Sequence, residues 1–491
     1  PDPDFSWYDT RRRVFGRDNQ TGVRWTAYVL NMTSQRWITE NAVQFPVWWH
    51  TVAVIVPENL EVPHWAVVHV EFGKQTMDGI DFIINHSPEE RGFNHTVEIN
   101  SSSLDSALPE LAKALWSSAF MATRARTVAV SLFNALNQYQ VFAEDPEHVL
   151  RVEDEIKAYS WGDFLKHGAK EPERIMELPV AKSVVRCMDV VSAFTAAALP
   201  SGRVSRFGIH GHSKLGMATW MTGAIDPRVE AIAPTSMIMG TETWERSGSP
   251  ALLQQPDNNP YGILSGWEGS VEMVKLHKII SPLNWLDRLT LPKLVVMDTN
   301  DVWMDDAIPD VKNWWPHLPG PKNLLFVEAE HDTATVVAMP TISSFFRGII
   351  DGTPMPSIDY SFALDAIHVH QRSDHLPSSV NLHYADSCSG AFPNPHFIDS
   401  NWGELRLWEA PSPTMMLDAQ NSSAMQWTAH LYDVHPELSL VSFWPHFLEP
   451  CSRGAFISAE YQWPHRDGQF TLTTPVFLVP LWGRSDEGSL R

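Results

Sequence analysis

The segment that most constrains the fold of this chain is residues 211–216, with the sequence Gly-His-Ser-Lys-Leu-Gly. Residues 204–210 form a β-prone run that predicts a strand, and residues 214–224 carry a pattern that predicts a helix. A strand that turns through glycine directly into a helix exposes the turn residue, here Ser213, at the end of a sheet. This arrangement indicates a nucleophilic serine, because the turn fixes the geometry that a weak nucleophile requires. The alternative is a tight turn in which Ser213 only caps the helix.

Strand and helix patterns alternate on both sides of this turn. Alternation of this kind predicts a doubly wound, mostly parallel sheet of the α/β class, and the serine turn favours the α/β-hydrolase fold. The predicted strands are residues 49–57, 65–70, 127–132, 204–210, 231–234, 293–298 and 324–328. The predicted helices between and after them are residues 104–122, 153–164, 179–200, 214–224 and 334–346.

The domain organisation follows from changes in composition along the chain. Residues 1–350 are predicted to form the α/β-hydrolase domain. Within it, residues 236–290 are rich in Gly, Pro, Asn and Trp; they predict either a helical cap over a cleft or a long surface excursion. Residues 351–491 contain short alternating segments separated by turn residues, which predict an all-β, sandwich-like domain.

The fold predicts an acid and a histidine after Ser213, in that order along the chain. Asp298 and Asp301 follow the strand that comes next but one after the serine turn. Asp301 is favoured because it lies beyond the strand end, and Asp298 is the alternative. His331 follows the last strand and is the predicted base, which Asp301 would orient. The competing interpretations are an Asx turn at Asp301 and a helix-capping surface histidine at His331.

Two backbone positions are predicted to bind the oxyanion of an acyl-transfer reaction. The amide of Lys214 begins the helix after Ser213, where it points toward the reacting carbonyl. The second donor is expected from the loop after residues 65–70, near Gly73. No cofactor and no metal is expected: the histidines at 368 and 370 fit a polar strand face better than a metal site.

The charge of the chain excludes several classes of partner. The formal net charge is −22, and no basic run offsets it, so nucleic acid and anionic membranes are not expected partners. No membrane span is expected either, since no uninterrupted apolar stretch reaches about 18 residues.

Several features predict a secreted or endomembrane-lumenal protein. The chain begins with Pro1 rather than methionine, which is consistent with removal of a signal peptide. Cys388 and Cys451 are predicted to form a disulfide, whereas Cys187 lies in an apolar helical pattern and is predicted to be a buried thiol. Acceptor sequences for N-linked glycans, most of them near the N-terminus, are Asn19, Asn31, Asn85, Asn94, Asn100 and Asn421.

Several segments of the chain match one known family. They are residues 48–50, 153–161, 178–189, 211–216, 226–229 and 287–294, with looser matches at 454–456 and 473–476. In these segments the chain resembles the PhoPQ-activated pathogenicity-related family, which includes secreted repressors of cell proliferation. The resemblance implies an α/β-hydrolase core with a C-terminal β domain, and it places the family's serine, acid and histidine on Ser213, Asp301 and His331.

The chain departs from the family's pattern beside the predicted triad. His212 stands where the family commonly has alanine, Leu215 where it has arginine, and Glu330 where it has glycine or aspartate. His212 would crowd the serine or carry an extra proton, and Glu330 would raise the pKa of His331.

Two functions of different classes are therefore predicted. The first is a secreted serine hydrolase, similar to peptidases of the prolyl-oligopeptidase and dipeptidyl-peptidase kind or to esterases, with a peptide or acyl-ester substrate. The second is a non-catalytic signalling or structural glycoprotein that uses the hydrolase scaffold to bind a cell-surface receptor.

Overall fold

The computed structural model describes most of the strands and helices on which the predicted site depends. The described residues are 3–76, 79–81, 95–99, 115–237, 239, 259–301, 303, 311, 314–363, 366–387, 402–409, 425–431, 451–465 and 468–481.

The largest sheet has ten strands, and a short hairpin of two more lies apart from it. The strands of the main sheet are β1 (Ser6–Asp18), β2 (Arg24–Arg36), β3 (Val47–Pro57), β4 (Val62–Val70), β7 (His95–Ile99), β8 (Thr127–Phe133), β9 (Arg206–His212), β10 (Val229–Thr235), β11 (Lys293–Asn300) and β12 (Lys322–Glu330). The hairpin consists of β5 (Lys74–Thr76) and β6 (Gly79–Asp81). Across the main sheet the strand order is β12-β11-β10-β9-β4-β8-β3-β2-β1-β7.

The strand directions identify the fold. β8, β4, β9, β10, β11 and β12 are parallel to one another, while β3 is antiparallel to both β2 and β8. In this order β8 lies between β3 and β4, and the strands after β4 follow in sequence from β9 to β12. This is the arrangement of an α/β-hydrolase. The predicted fold class is therefore confirmed. Because the strands are parallel, the carboxyl ends of β9, β11 and β12 lie at one edge of the sheet.

Helices cover both faces of the sheet, as a buried parallel sheet requires. Val184 and Leu215 belong to the core on one face, whereas Phe120 and Phe345 belong to the core on the other. The helices are α1 (Trp116–Ala125), α2 (Glu153–Lys166), α3 (Glu177–Ala198), α4 (Lys214–Ile225), α5 (Val271–Ile280) and α6 (Ala334–Asp351). The predicted burial of Cys187, within α3, is also confirmed.

The segment from His331 through α6 is long and apolar enough to cross a membrane by length and composition. However, 72% of its apolar 18-residue window is buried inside the protein. Its apolar residues pack between the main sheet and the C-terminal strands, which is the environment of a core helix.

The C-terminal region consists of two further sheets that pack on the main domain. Ile367 and Ile457, one from each sheet, share a core with Phe345 of α6. The amide of Phe326, on edge strand β12, donates a 2.9 Å hydrogen bond to Thr473 Oγ1. The strands are β13 (Ile358–Phe362), β14 (Ala366–Gln371) and β17 (Gln426–His430) in one sheet, and β15 (Ser379–Ser387), β16 (Gly403–Glu409), β18 (Cys451–Tyr461), β19 (Phe470–Thr473) and β20 (Phe477–Leu481) in the other.

The described part of the predicted insertion packs on helix α2. Residues 260–264 form a short 3₁₀ helix, followed by α5 and a second 3₁₀ segment over residues 282–288. Leu264 and Leu276 form a small apolar cluster with Trp161 of α2. Whether the insertion covers a cleft depends on residues 238 and 240–258, which lie outside the described residues.

Candidate active site

Ser213 occupies the turn between β9 and α4, with φ 54° and ψ −127°. A non-glycine residue rarely adopts this conformation, so the surrounding structure must impose it. The Ser213 amide donates to the carbonyl oxygen of Thr235 on β10 at 2.9 Å, and the Gly216 amide donates to the Ser213 carbonyl at 2.7 Å. These two contacts hold the serine at the carboxyl edge of the sheet, in the position that the sequence predicts.

The glycines on either side of Ser213 allow this turn. A Cβ atom at Gly211 would lie 2.5 Å from the Leu215 carbonyl oxygen, and one at Gly216 would lie 2.8 Å from Met237 Cβ. Any side chain at either position would therefore push α4 away from the sheet.

His331 and Asp301 form a close pair at the same edge. His331 Nδ1–H donates to Asp301 Oδ2 at 2.7 Å, and both side chains are buried. Asp301 Oδ1 also accepts a hydrogen bond from the Trp303 amide at 2.7 Å. One carboxyl oxygen of Asp301 therefore closes an Asx turn while the other contacts the histidine. Asp298, the other acid that the sequence allowed, lies farther from the ring, with Oδ2 3.8 Å from Nδ1.

The serine and the histidine lie at the same edge of the sheet without a direct bond between their side chains. Among the described residues, Ser213 Oγ makes no hydrogen bond to His331. Such a gap is common in hydrolases without substrate, because catalytic hydrogen bonds often shorten only when the substrate is bound.

Asp298 is a second buried carboxyl beside this pair. Its side chain is 1% exposed, and neither carboxyl oxygen accepts a well-formed hydrogen bond from the described residues. Burial and the nearby charge of Asp301 raise the pKa of Asp298 well above its ordinary value. Asp298 therefore keeps its proton to a higher pH than an ordinary carboxyl group does, and Asp301 is the acid hydrogen-bonded to His331.

His212 supports the loop that carries His331. Its ring centroid lies 4.6 Å from that of His331, and His212 Nε2–H donates to the His331 carbonyl oxygen at 2.9 Å. Burial and the neighbouring His331 lower the pKa of His212 well below its ordinary value, so its ring is neutral. A neutral ring with a fixed donor holds the loop in place.

Lys214 has a partner that the sequence did not predict. Its ammonium group donates to Asp154 Oδ2 at 2.9 Å and lies 3.4 Å from Glu153, at the start of α2. Burial alone would lower the pKa of Lys214, but these two carboxylates raise it, so the side chain is charged. Tyr261, from the insertion, donates to the other oxygen of Asp154 at 2.6 Å.

Gly73 lies in the loop after β4, from which the sequence predicts the second oxyanion donor. Gly73 has φ +153°, and a Cβ atom there would approach the Asn134 amide nitrogen to 3.0 Å. Gln138 Nε2–H donates to the Gly73 carbonyl oxygen at 2.6 Å, which fixes the direction of this peptide. Glycine is therefore required for this close approach of two backbone segments.

A buried chain of polar side chains, not predicted from the sequence, connects β4, β9 and β10 beneath the site. Glu71 lies 2.9 Å from His69 Nε2, and His69 Nδ1 lies 2.6 Å from His210 Nδ1. His210 Nε2 contacts Thr235 Oγ1 at 3.2 Å, and the Thr235 carbonyl binds the Ser213 amide. Burial and the nearby His69 lower the pKa of His210, so its ring is a neutral structural link between the strand ends.

The predicted modification sites fall only partly on described residues. Asn19 is exposed in the turn between β1 and β2, and Asn31 is half-buried on β2. The acceptor residues Asn85, Asn94, Asn100 and Asn421 lie outside the described residues, as does Cys388. The predicted pairing of Cys388 with Cys451 therefore stays a prediction.

Comparison with known sequences identifies one family over most of the chain. A family model described as PhoPQ-activated pathogenicity-related protein matches residues 13–391. The autocrine proliferation repressor protein A of Dictyostelium discoideum is 28% identical over 348 residues, which cover 68% of this chain. The aligned region spans 62% of the length of that relative.

Solved structures with a similar arrangement of elements include carbohydrate esterases. The acetyl xylan esterase 1 from Thermoanaerobacterium sp. JW/SL YS485 is 14% identical, with a TM-score of 0.37, over 67% of this chain and 83% of that one. A glucuronoyl esterase from Solibacter usitatus is 11% identical, with a TM-score of 0.40, over 71% of this chain and 86% of that one. Similarity at this level carries no information about substrate.

Proposed function

Because the chain belongs to the PhoPQ-activated pathogenicity-related family and has the α/β-hydrolase fold, we propose that it is a serine hydrolase. The observation that carries the proposal is the 2.7 Å contact between His331 Nδ1 and Asp301, at the sheet edge where Ser213 follows β9. Nucleophile, acid and base thus follow β9, β11 and β12, in the chain order of this fold.

The mechanism follows from the position of each group. His331 Nε2 accepts the proton of Ser213 Oγ as that oxygen attacks the substrate carbonyl, and Asp301 stabilises the imidazolium that forms. The amide of Lys214 and the loop at Gly73 bind the oxyanion. His331 then returns the proton to the leaving alcohol or amine. A water molecule, activated by His331, hydrolyses the acyl-serine and restores the free enzyme.

The proposed substrates are small acyl esters or short peptides. The proposal also includes export of the chain and N-linked glycosylation, beginning with the exposed Asn19, and the disulfide between Cys388 and Cys451. Glycosylation is tested by expressing the protein in a secretory host and comparing its mass, and that of Asn19→Gln, before and after glycosidase treatment. An unchanged mass in both would reject this part of the proposal.

A panel of activated acyl esters and peptide anilides tests the enzymatic proposal. We expect turnover of at least one class, and a loss of at least about a thousandfold in Ser213→Ala. Ser205→Ala is the matched control, since Ser205 is an exposed serine before the same strand and should retain wild-type activity. Hydrolysis that persists in Ser213→Ala would assign the chemistry elsewhere.

A second candidate function is a secreted signalling protein on a hydrolase scaffold. It is favoured by the name of the Dictyostelium relative. Folded protein that turns over no substrate in the panel would support this candidate. In that case, labelled wild-type protein and labelled Ser213→Ala should bind to cell surfaces equally well.

A further inference from the structure

The carboxyl group of Asp298 is a buried ionisable group beside the proposed triad that the mechanism does not use. We infer that Asp298 is a reserve acid, a positioning residue that orients His331 when Asp301 does not. The inference rests on the proposed function, because it concerns the geometry of the proposed base.

The first argument is that both carboxyl groups approach the same ring nitrogen. His331 Nδ1 lies 2.7 Å from Asp301 Oδ2 and 3.8 Å from Asp298 Oδ2. Strand register explains this placement: Asp298 pairs with Val327 of β12, and Asn300 pairs with Glu330, so both acids lie beside the strand end that leads to His331. A shift of about 1 Å would bring Asp298 within hydrogen-bond distance of the ring.

The second argument is that the carboxyl oxygens of Asp298 accept no hydrogen bond of normal geometry from the described residues. Buried polar groups are nearly always hydrogen-bonded, and a buried carboxyl without a donor destabilises the fold. Ser236 and Asp301 are the polar side chains that lie beside Asp298 and affect its pKa. Among the described residues, however, neither carboxyl oxygen of Asp298 accepts a hydrogen bond of normal geometry. Among those residues, the ion-pair partner of Asp298 is His331, at 3.8 Å.

The third argument concerns charge. Two adjacent buried carboxyl groups do not both ionise readily, and burial together with the neighbouring Asp301 raises the pKa of Asp298. Removal of the Asp301 side chain removes that repulsion. The imidazolium that forms on His331 during the reaction then favours ionisation of Asp298, which becomes its hydrogen-bond acceptor.

The test compares variants in which Asp301 is removed with and without Asp298. Loss of the orienting acid lowers kcat by roughly 10⁴-fold in a serine protease that has a single acid. We expect Asp301→Ala to lower kcat for an activated ester by only about 10- to 100-fold, with KM little changed, and Asp301→Ala with Asp298→Asn to fall by roughly 10⁴-fold. The matched control is Asp301→Ala with Asp332→Asn, because Asp332 is an exposed acid next to His331.

Stability distinguishes the proposed role from a structural one. The Asp298→Asn change replaces a buried acid by a neutral group, so the Tm of the double variant should equal or exceed that of Asp301→Ala. Equal kcat for Asp301→Ala and the double variant would overturn the inference. So would an Asp298→Asn single variant as impaired as Asp301→Ala. If the wild-type protein shows no activity at all, the proposed function itself fails.

Discussion

At the scale of single residues, Gly211 shows how little space the turn below Ser213 allows. A Cβ atom there would lie 2.5 Å from the Leu215 carbonyl oxygen and 2.7 Å from Thr219 Oγ1. We expect Gly211→Ala to lower the free energy of unfolding by about 1–3 kcal/mol, because backbone atoms must move to admit the methyl group. Urea denaturation measures this change. Gly262→Ala is the control, since a Cβ atom there would have no neighbour within 4 Å; equal values for both would contradict the packing described.

Asp298 gives a prediction about the pH dependence of stability. Burial and Asp301 raise the pKa of Asp298 in the folded protein. Above the unfolded value near 3.8, the unfolded chain therefore loses this proton before the folded chain does, and the free energy of unfolding falls as the pH rises. Asp298→Asn should therefore increase the free energy of unfolding at pH 7.5. The difference in the free energy of unfolding between Asp298→Asn and wild type should shrink toward pH 4.5, because ionisation of Asp298 stabilises the unfolded wild-type chain less at that pH. Urea denaturation at the two pH values measures it, and a constant difference would contradict the shifted pKa.

The site residues divide into those that local sequence predicts and those that it does not. Ser213, Asp301 and His331 could be assigned because each follows a predicted strand, and the fold sets their order. The contacts of Lys214 with Asp154, and of His69 with His210, join residues 60 and 141 positions apart. No local pattern encodes such pairs, since they exist only after the strands and helices have packed.

At the scale of elements, helix α2 is joined to the serine turn through the ion pair of Lys214. Asp154 accepts hydrogen bonds from Lys214 and from Tyr261 of the insertion. We expect Asp154→Asn to lower both Tm and kcat, because it weakens the contact that fixes the first turn of α4. The control is Glu173→Gln, which changes an exposed acid outside this contact.

The same pair has a defined pH dependence. Burial raises the pKa of Asp154, but Lys214 and Lys157 outweigh burial and lower it to about 2. A depressed pKa contributes stability above the unfolded value near 3.8, and that stability is lost as the pH falls toward 2. The Tm difference between wild type and Asp154→Asn should therefore narrow below about pH 4. A difference that widens in acid would contradict the assignment.

Strands that are buried along their whole length could be predicted from the sequence, whereas strands whose residues alternate between buried and exposed were harder to predict. β8 is buried along its whole length, and its apolar β-branched sequence identifies it directly. The hairpin of β1 and β2 has 13 residues in each strand, yet the first strand predicted from the sequence is residues 49–57. Its polar residues, including three consecutive arginines from Arg11, obscure the strand pattern that cross-strand pairing establishes.

At the scale of the whole molecule, the C-terminal β region supports the loops of the proposed site. Trp402 Nε1–H donates to Asn300 Oδ1 at 3.0 Å, next to Asp301. His383 Nδ1 contacts Glu328 at 2.5 Å, on the strand that leads to His331. Composition predicted a separate β domain, but it gave no indication of these contacts, which depend on how the two regions pack.

Trp402→Phe tests this support. Phenylalanine retains an aromatic ring against Phe456 but loses the hydrogen bond to Asn300. A hydrogen bond contributes about 1 kcal/mol, so we expect kcat to fall by about fivefold as the Asp301 loop loosens. The control is His368→Gln, since His368 contacts Thr428 within the other C-terminal sheet. Equal effects of the two substitutions on kcat would argue against specific support of the loop.

The central claim is that Ser213 is an activated nucleophile, and a fluorophosphonate probe tests it most directly. Folded protein is treated with the probe, and the modified peptide is located by mass spectrometry. The account predicts one adduct, on the peptide that contains Ser213, and no adduct in Ser213→Ala or in His331→Ala. Folded wild-type protein that remains unlabelled, or label that persists in Ser213→Ala, would contradict it.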